Sequence, residues 1–139
     1  MSQRKFISKL AKYKLKQLRQ RLNKTTDRWK NINQEGKYKK WRRSVCELNK
    51  RRTGLSKNYV CEKCNKKYKT TQYLHAHHIF SWNKFPKKRY TISNGVVLCK
   101  KCHNNFHKTY GYDALSKPTL LTEYIKDNKH IEKYIKSNS

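Results

Sequence analysis

The chain has 139 residues, of which 36 are Lys or Arg and 8 are Asp or Glu, so its formal net charge is +28. A hydrophobic fraction of 35% limits it to one modest domain with extensions, and the charge excess predicts a polyanion as partner. No run approaches the roughly 18 apolar residues of a membrane helix and the N-terminus lacks an apolar signal core, so we expect no membrane contact and an intracellular, cytoplasmic protein.

The first part of the chain is predicted to form two basic helices. Over residues 3–23, apolar residues recur at helical steps of three or four, at Ile7, Ala11, Leu15, Leu18 and Leu22. A polar connection over 25–36 is expected next, followed by a second helix over about 36–52. Residues 1–58 carry a net charge of +17. Both helices therefore suit a phosphate backbone.

Four cysteines then form two CxxC pairs separated by 34 residues, Cys61 with Cys64 and Cys99 with Cys102. In a reducing interior such thiolates bind metal rather than form disulfides. Four sulfurs suit a structural Zn²⁺ bound tetrahedrally, which leaves no position open for chemistry. Such a site contributes roughly 10–16 kcal/mol to folding in small peptides at neutral pH. Cys46 lies outside the set and is predicted to be a buried residue on a helix.

A set of histidines lies between the two cysteine pairs and directly after the second pair. Residues 73–79 are predicted to form a strand that contains His77 and His78, and a loop over 81–93 leads to a second short strand at 96–98. The following segment turns helical, which puts His103 and His107 on one face. Histidines outside the zinc shell can hold a second, open metal and act as a base, a combination expected of a metal-dependent nuclease. A less basic helical tail over 117–136 follows.

Three segments together resemble a known family. They are His75-Ala76-His77-His78-Ile79, then Asn94-Gly95-Val96-Val97-Leu98-Cys99, then Cys102-His103 with His107. This pattern resembles the HNH endonuclease motif in its zinc-finger-bearing form and is similar to small phage-encoded members, including homing endonucleases. The resemblance covers about residues 38–124. It implies an α+β fold, a small ββα-metal domain stapled by a four-cysteine zinc site and flanked by basic N-terminal helices and a C-terminal helix.

The same resemblance implies a division of the chain and a role for each matching residue. We expect a basic helical extension over 1–35, an HNH nuclease domain over 36–115 and a helical tail over 116–139. His78 would be the general base, oriented by Asn94 through the backbone carbonyl of that residue. The catalytic ion, Mg²⁺, Mn²⁺, Ni²⁺ or Co²⁺, would be ligated by His77, His103 and His107. The basic side chains predicted to contact DNA phosphates are Arg42, Arg43, Lys87, Lys88 and Arg89.

These residues predict a metal-dependent DNA endonuclease that hydrolyses phosphodiester bonds with one catalytic ion and acts as a monomer or weak dimer. Histidine ligands favour transition metals, so activity with Mn²⁺, Ni²⁺ or Co²⁺ should at least equal that with Mg²⁺. Two alternatives remain open. One is a non-catalytic zinc-finger protein that binds nucleic acid. The other is an accessory nuclease within a larger phage replication or packaging complex, docked through residues 1–35.

Overall fold

A computed structural model describes residues 3–112 and 117–139, with the side chains of residues 11–24, 30–112 and 117–139. Contacts between Cα atoms divide the chain into two compact units, one up to Lys37 and one from Tyr38 onward. Helix α1 (Gln3–Thr53) contributes residues to both units. The boundary predicted between residues 115 and 116 lies outside the described residues, and the three predicted segments stay a prediction.

The predicted polar connection over residues 25–36 is wrong, because helix α1 continues through it. The segment contains no proline. Thr, Asp and Gly each cost a helix at most about 1 kcal/mol relative to Ala, which the good helix formers on either side offset. In the unit up to Lys37, Leu15 and Leu18 expose 52% and 60% of their surface, so this part of the predicted apolar face is not buried. Ile7 lies outside the described side chains.

The unit from Tyr38 onward confirms the predicted α+β fold class. Two short strands, β1 (Tyr59–Val60) and β2 (Lys67–Tyr68), form one antiparallel pair, and β3 (Leu74–His78) and β4 (Gly95–Cys99) form another. The sheet is followed by α2 (Lys100–Tyr110), α3 (Thr119–Ile125) and α4 (Lys129–Asn138). Two single-turn 3-10 helices, Pro86–Lys88 and Ile92–Asn94, lie in the connection between β3 and β4.

The sheet formed by β3 and β4 separates two neighbouring histidines. Side chains alternate between the two faces of a strand, so His77 and His78 point in opposite directions. On one face, the ring of Trp41 from α1 stacks on His78. On the other face, the ring of Phe106 from α2 meets His77 edge-on. Adjacent residues of the motif therefore lie in two different environments.

Helix α1 comes very close to the sheet at Gly95, which pairs with His78 across the strands. A Cβ atom at Gly95 would lie 2.4 Å from one methyl group of Val45 and 3.1 Å from Cζ2 of Trp41. Only glycine therefore leaves room for the helix at this distance. Cys46, on the same part of α1, is buried as predicted.

The C-terminal helices complete the core of this unit. Leu121 and Ile125 of α3 and Ile131 of α4 are buried in the same hydrophobic cluster as the sheet and α1. The hydroxyl of Tyr124 donates a hydrogen bond of 3.0 Å to the carbonyl of Cys102 and so ties α3 to the start of α2. Within the described ranges, none of the helices has the length and apolar character needed to cross a membrane.

Candidate metal centres and catalytic site

The four cysteines of the two CxxC pairs lie together, with their sulfurs all within 4.8 Å of one another. Four sulfurs each about 2.3 Å from one tetrahedral Zn²⁺ are about 3.8 Å apart, so the cluster fits the ion that the sequence predicts. The pairs come from two places in the fold. Cys61 and Cys64 lie on the turn between β1 and β2. Cys99 is the last residue of β4, and Cys102 is in the first turn of α2.

Local hydrogen bonds shape the first pair and favour a thiolate at Cys99 of the second pair, whereas burial and the neighbouring Cys99 raise the pKa of Cys102. The turn between the short strands is closed by bonds from the Asn65 N–H to the carbonyl of Cys61, at 2.8 Å, and from the Cys61 N–H to the carbonyl of Lys66, at 3.0 Å. Burial raises the pKa of the Cys99 thiol, but hydrogen bonds from the backbone of Cys102 and from Tyr68 outweigh it and lower that pKa to about 7. A thiolate is the form that binds metal.

A second cluster consists of three imidazoles from β3 and α2. One nitrogen each of His77, His103 and His107 lies within 4.8 Å of the others. The Nε2 atoms of His103 and His107, one helical turn apart, are 3.3 Å apart. Two nitrogens that ligate one ion at about 2.0–2.1 Å lie about 3.0–3.4 Å apart, so this spacing fits a shared metal. His75 stacks on His103 with a centroid distance of 4.5 Å but is not part of the cluster.

His77 is the strongest indication that this cluster holds a cation. Its side chain is 5% exposed, and both of its ring nitrogens are buried without a hydrogen-bond partner among the residues that the structure describes. Burial, followed by the charges of His103 and His107, lowers the pKa of His77 to about 3. Burial likewise lowers the pKa of His103 to about 4. The imidazoles are therefore neutral at physiological pH, as metal ligands must be.

His78 lies on the opposite face of the sheet and has different contacts. Its Nε2 is 2.8 Å from the carbonyl oxygen of Arg89. A carbonyl only accepts, so Nε2 carries the proton and the lone pair of the neutral ring is on Nδ1. Burial lowers the pKa of His78, and the bond to Arg89 opposes that shift. The result is a neutral imidazole with one nitrogen able to accept a proton.

Asn94 does not hold the His78 ring through its own carbonyl, so that detail of the expectation is wrong. The carbonyl of Asn94 accepts from the N–H of Ile79, at 2.9 Å. Its amide nitrogen donates to the carbonyls of Phe80 and Lys88, and its oxygen accepts from the N–H of Phe80 at 2.8 Å. Asn94 thereby fixes the loop at Lys88. The residue after Lys88 is Arg89, whose carbonyl contacts His78. Its influence on the imidazole passes through that loop.

The predicted DNA-contacting side chains fall into two groups. Arg43 and Lys87 are exposed. The other three have partners within the protein. Arg42 donates to the carbonyls of Thr71 and Leu74 at 2.8 and 2.9 Å, and Arg89 donates to the carbonyl of Trp82 at 2.7 Å. Lys88 bonds Asn138 at 2.6 Å. These contacts give Arg42, Lys88 and Arg89 a part in holding the fold, and phosphate contact by all five stays a prediction.

Sequence reasoning missed Glu62, which lies beside the first zinc cysteine and accepts several hydrogen bonds. Its side chain is 8% exposed. One oxygen accepts from the Val97 N–H at 3.0 Å and from Asn49 at 3.2 Å. The other accepts from Asn128 at 2.9 Å and lies in close contact with Nε2 of His130. The sequence does contain a signal that could have identified this residue. Glu62 is the sole acidic residue between residues 59 and 110.

Comparison with known proteins identifies the segment that carries both clusters. Residues 61–109 match the sequence profile of the family described as HNH endonuclease. The match begins at the first zinc cysteine and ends just beyond His107, so it contains all seven members of the two clusters. Neither the curated proteins nor the solved structures include a significant match to the chain.

Proposed function

We propose that the protein, whose residues 61–109 match the HNH endonuclease family, is a metal-dependent endonuclease that hydrolyses phosphodiester bonds in DNA. The observation that carries the proposal is the buried His77, whose ring nitrogens have no hydrogen-bond partner among the described residues and one of which lies within 4.8 Å of nitrogens of His103 and His107. A buried polar atom without a partner is costly, and a shared cation removes that cost for the nitrogen that binds it. We assign one divalent ion to these three histidines.

That ion would act as a Lewis acid on the phosphate and stabilise negative charge at the leaving oxygen. Three protein ligands leave coordination positions open for water and phosphate, unlike the four cysteines, which close their site. Imidazole ligands suit Mn²⁺, Ni²⁺ and Co²⁺ better than Mg²⁺, which prefers oxygen. We therefore propose that transition metals support activity at least as well as Mg²⁺. The cysteines are assigned a structural Zn²⁺.

His78 is proposed as the general base. Its neutral ring presents Nδ1 as the proton acceptor because Nε2 is bonded to the carbonyl of Arg89. A water molecule beside Nδ1 would lose its proton to this nitrogen as it attacks phosphorus. His78 follows His77 directly in β3, so the base and one of the metal ligands belong to the same strand, while His103 and His107 belong to α2. Asn94 supports the arrangement from the loop.

DNA as substrate is favoured by charge. The net charge of residues 1–110 is +27, spread over α1 and the HNH domain. A protein with many Lys and Arg side chains binds a phosphate backbone by releasing its counterions, without regard to sequence. One histidine cluster with one base supplies one catalytic centre, so each engagement would cut one strand. The similarity to phage-encoded homing endonucleases stays a prediction.

The test is cleavage of supercoiled plasmid by the purified protein with Mg²⁺, Mn²⁺, Ni²⁺, Co²⁺ or EDTA. We expect nicked circles to appear first, in the presence of transition metals and not in EDTA. His78→Ala should lower the rate by about 10²–10⁴-fold, the usual contribution of a general base, while its DNA affinity stays within a few-fold. His130→Gln is a matched control outside the cluster, since its amide can still donate to Glu62.

Two outcomes would contradict the proposal. If zinc-loaded wild-type protein binds plasmid but leaves it intact with every ion, the protein is a non-catalytic zinc-finger nucleic-acid-binding protein. If His78→Ala cleaves like the wild type, the enzyme assignment stands but the base is another group. Cleavage by both the wild type and His130→Gln, and not by His78→Ala, is the expected pattern.

A further inference from the structure

We propose that Trp41 is a positioning residue for the general base, an inference that rests on the proposed role of His78. The indole of Trp41 lies flat against the imidazole of His78, with ring centroids 3.9 Å apart and an angle of 8° between the planes. Trp41 belongs to α1 and is 37 positions earlier in the chain, outside the segment that matches the HNH family. The family profile therefore does not include this contact.

Three features of the structure hold the side chain of Trp41 in place. Its Nε1–H donates a hydrogen bond of 2.9 Å to the carbonyl of Thr91, in the loop between β3 and β4. Its side chain is 2% exposed, so solvent does not reach the stacked face. The absent side chain of Gly95 lets α1 approach the sheet closely enough for the two rings to meet. The indole is therefore a rigid surface rather than a mobile one.

The stack and the Arg89 carbonyl together determine the orientation of His78. The carbonyl of Arg89 binds Nε2, which fixes the direction of the ring within its plane. The indole fixes the plane itself. On a third side, Trp82 approaches the imidazole edge-on, with centroids 5.5 Å apart. Arg89 in turn donates to the carbonyl of Trp82, so the loop that supplies these contacts is closed on itself.

Fixing the ring matters because a general base must present its lone pair within hydrogen-bond reach of the water it deprotonates. The torsion about the bond to an imidazole ring is broad, so the ring would rotate without a surface against it. Small misplacements of reacting groups cost rates of up to about 100-fold. Core packing alone would give Trp41 a role in stability and none in turnover. The two roles are therefore separable by experiment.

The experiment compares Trp41→Leu, Trp41→Phe and the packing control Val45→Ala in the full-length, zinc-loaded protein. Val45 is a buried neighbour on the same helix. Three quantities are measured for each: the melting temperature, the DNA dissociation constant, and the single-turnover cleavage rate at saturating protein with Mn²⁺. The ring protons of His78, assigned by their loss in His78→Ala, are followed by NMR, since a stacked indole shifts them upfield.

We expect Trp41→Leu to lower the cleavage rate by about 10- to 100-fold while DNA affinity changes less than threefold. Its His78 signals should move downfield. Trp41→Phe keeps an aromatic face and should recover most of the rate. Val45→Ala should be destabilised yet cleave within about threefold of the wild type, because it leaves the stack in place.

A folded Trp41→Leu that cleaves at the wild-type rate would overturn the positioning role and leave the nuclease proposal intact. A Val45→Ala protein as slow as Trp41→Leu would also overturn it, because the loss would then follow stability. A wild-type protein that cuts no DNA with any ion would instead remove the proposed function, and the role of Trp41 in catalysis with it. Unchanged His78 signals in Trp41→Leu would show that the rings are not stacked in solution.

Discussion

At the scale of single residues, adjacent histidines acquire different chemistry from the two faces of one strand. His77 faces α2 and is surrounded by two further imidazoles and Phe106, so burial keeps its imidazole neutral, as a metal ligand must be. His78 faces α1, and its Nε2 is bonded to the Arg89 carbonyl, which leaves Nδ1 as the nitrogen that can accept a proton. If the pairing of β3 with β4 shifted by one residue, each histidine would move to the opposite face of the sheet. The pairing of His78 with Gly95 and of His77 with Val96 prevents that slip.

The pKa of His77 leads to a pH prediction for the protein with zinc but without the catalytic ion. The pKa of His77 is about 3 in the folded state and about 6.5 in an unfolded chain. Between these values the unfolded state binds the extra proton, so stability is full above pH 6.5 and falls as the pH is lowered towards 3. When the unfolded state binds one proton more than the folded state, the free energy of unfolding changes by about 1.4 kcal/mol per pH unit.

The free energy of unfolding should therefore fall more steeply on acidification in the wild type than in His77→Gln. The variant has no titrating group at position 77. The comparison cancels the acid sensitivity of the zinc thiolates, which both proteins share. Denaturant unfolding at several pH values between 4 and 7 provides the measurement, with zinc content checked at each pH. Parallel curves for the two proteins would show that His77 is not buried in the neutral form.

At the scale of elements, the four-cysteine cluster brings together separate parts of the fold, which hydrogen bonds between Glu62 and Val97 also join. The turn between β1 and β2 meets the end of β4 and the start of α2 through four sulfurs. Strands β1 and β2 are two residues each. Such short strands bury little apolar area, so we expect a metal at the four cysteines to supply much of the stability of this part of the fold. The cluster includes Cys99 of β4, the strand that pairs with β3, and Cys102 of α2, which carries His103 and His107.

Elemental analysis of the purified protein should therefore find one tightly held zinc per chain. This zinc should survive dialysis against EDTA longer than the ion at the histidines, because a closed site offers the chelator no open position. Cys61→Ser and Cys102→Ser should lose zinc and yield unfolded or insoluble protein, since structural zinc contributes roughly 10–16 kcal/mol in small domains. Cys46→Ala should keep its zinc, because Cys46 is buried outside the cluster. Soluble, active Cys61→Ser would contradict a structural role.

At the scale of the whole molecule, part of the basic charge lies outside the segment that contains the two ligand clusters. Residues 1–35 carry 11 basic and 2 acidic side chains and lie outside the HNH match. The unit from Tyr38 onward contains both clusters and its own hydrophobic core. We infer that residues 1–35 supply affinity for the phosphate backbone and that the remainder supplies the reaction.

Deleting residues 1–35 should weaken DNA binding and reduce its dependence on salt. If about six of the deleted cations contact phosphates, the slope of log K against log salt should become shallower by about five. The shortened protein should still bind zinc and should cleave at low salt and high concentration. The measurement is binding to one duplex at several salt concentrations.

Replacing Lys12, Lys14, Lys16 and Arg19 with Gln in the full-length chain is the matched control, since all four side chains are exposed. It should reduce the slope by up to about four if each contacts a phosphate. Equal slopes in all proteins would assign residues 1–35 to a protein partner instead, as the accessory-nuclease alternative requires.

The ligand types, their spacing and the order of strand and helix could be predicted from the sequence because each depends on local geometry. Two CxxC pairs indicate a four-sulfur site, and His103 and His107 share a face of α2 because they are four residues apart. The elements that carry them were therefore predicted to within two residues or so.

Contacts between distant segments were decided by the tertiary structure. The Arg89 carbonyl at His78, the stack of Trp41 on the same ring and the bond between Glu62 and His130 join residues 11 to 68 positions apart. The continuity of α1 through residues 25–36 was also missed, because the local propensities there differ by at most about 1 kcal/mol per residue and do not decide the conformation. Residue types determined which chemistry is possible at this site. The packing of α1 and the loop against the sheet determined which atoms hold the base, because that packing depends on surfaces that meet only in the folded chain.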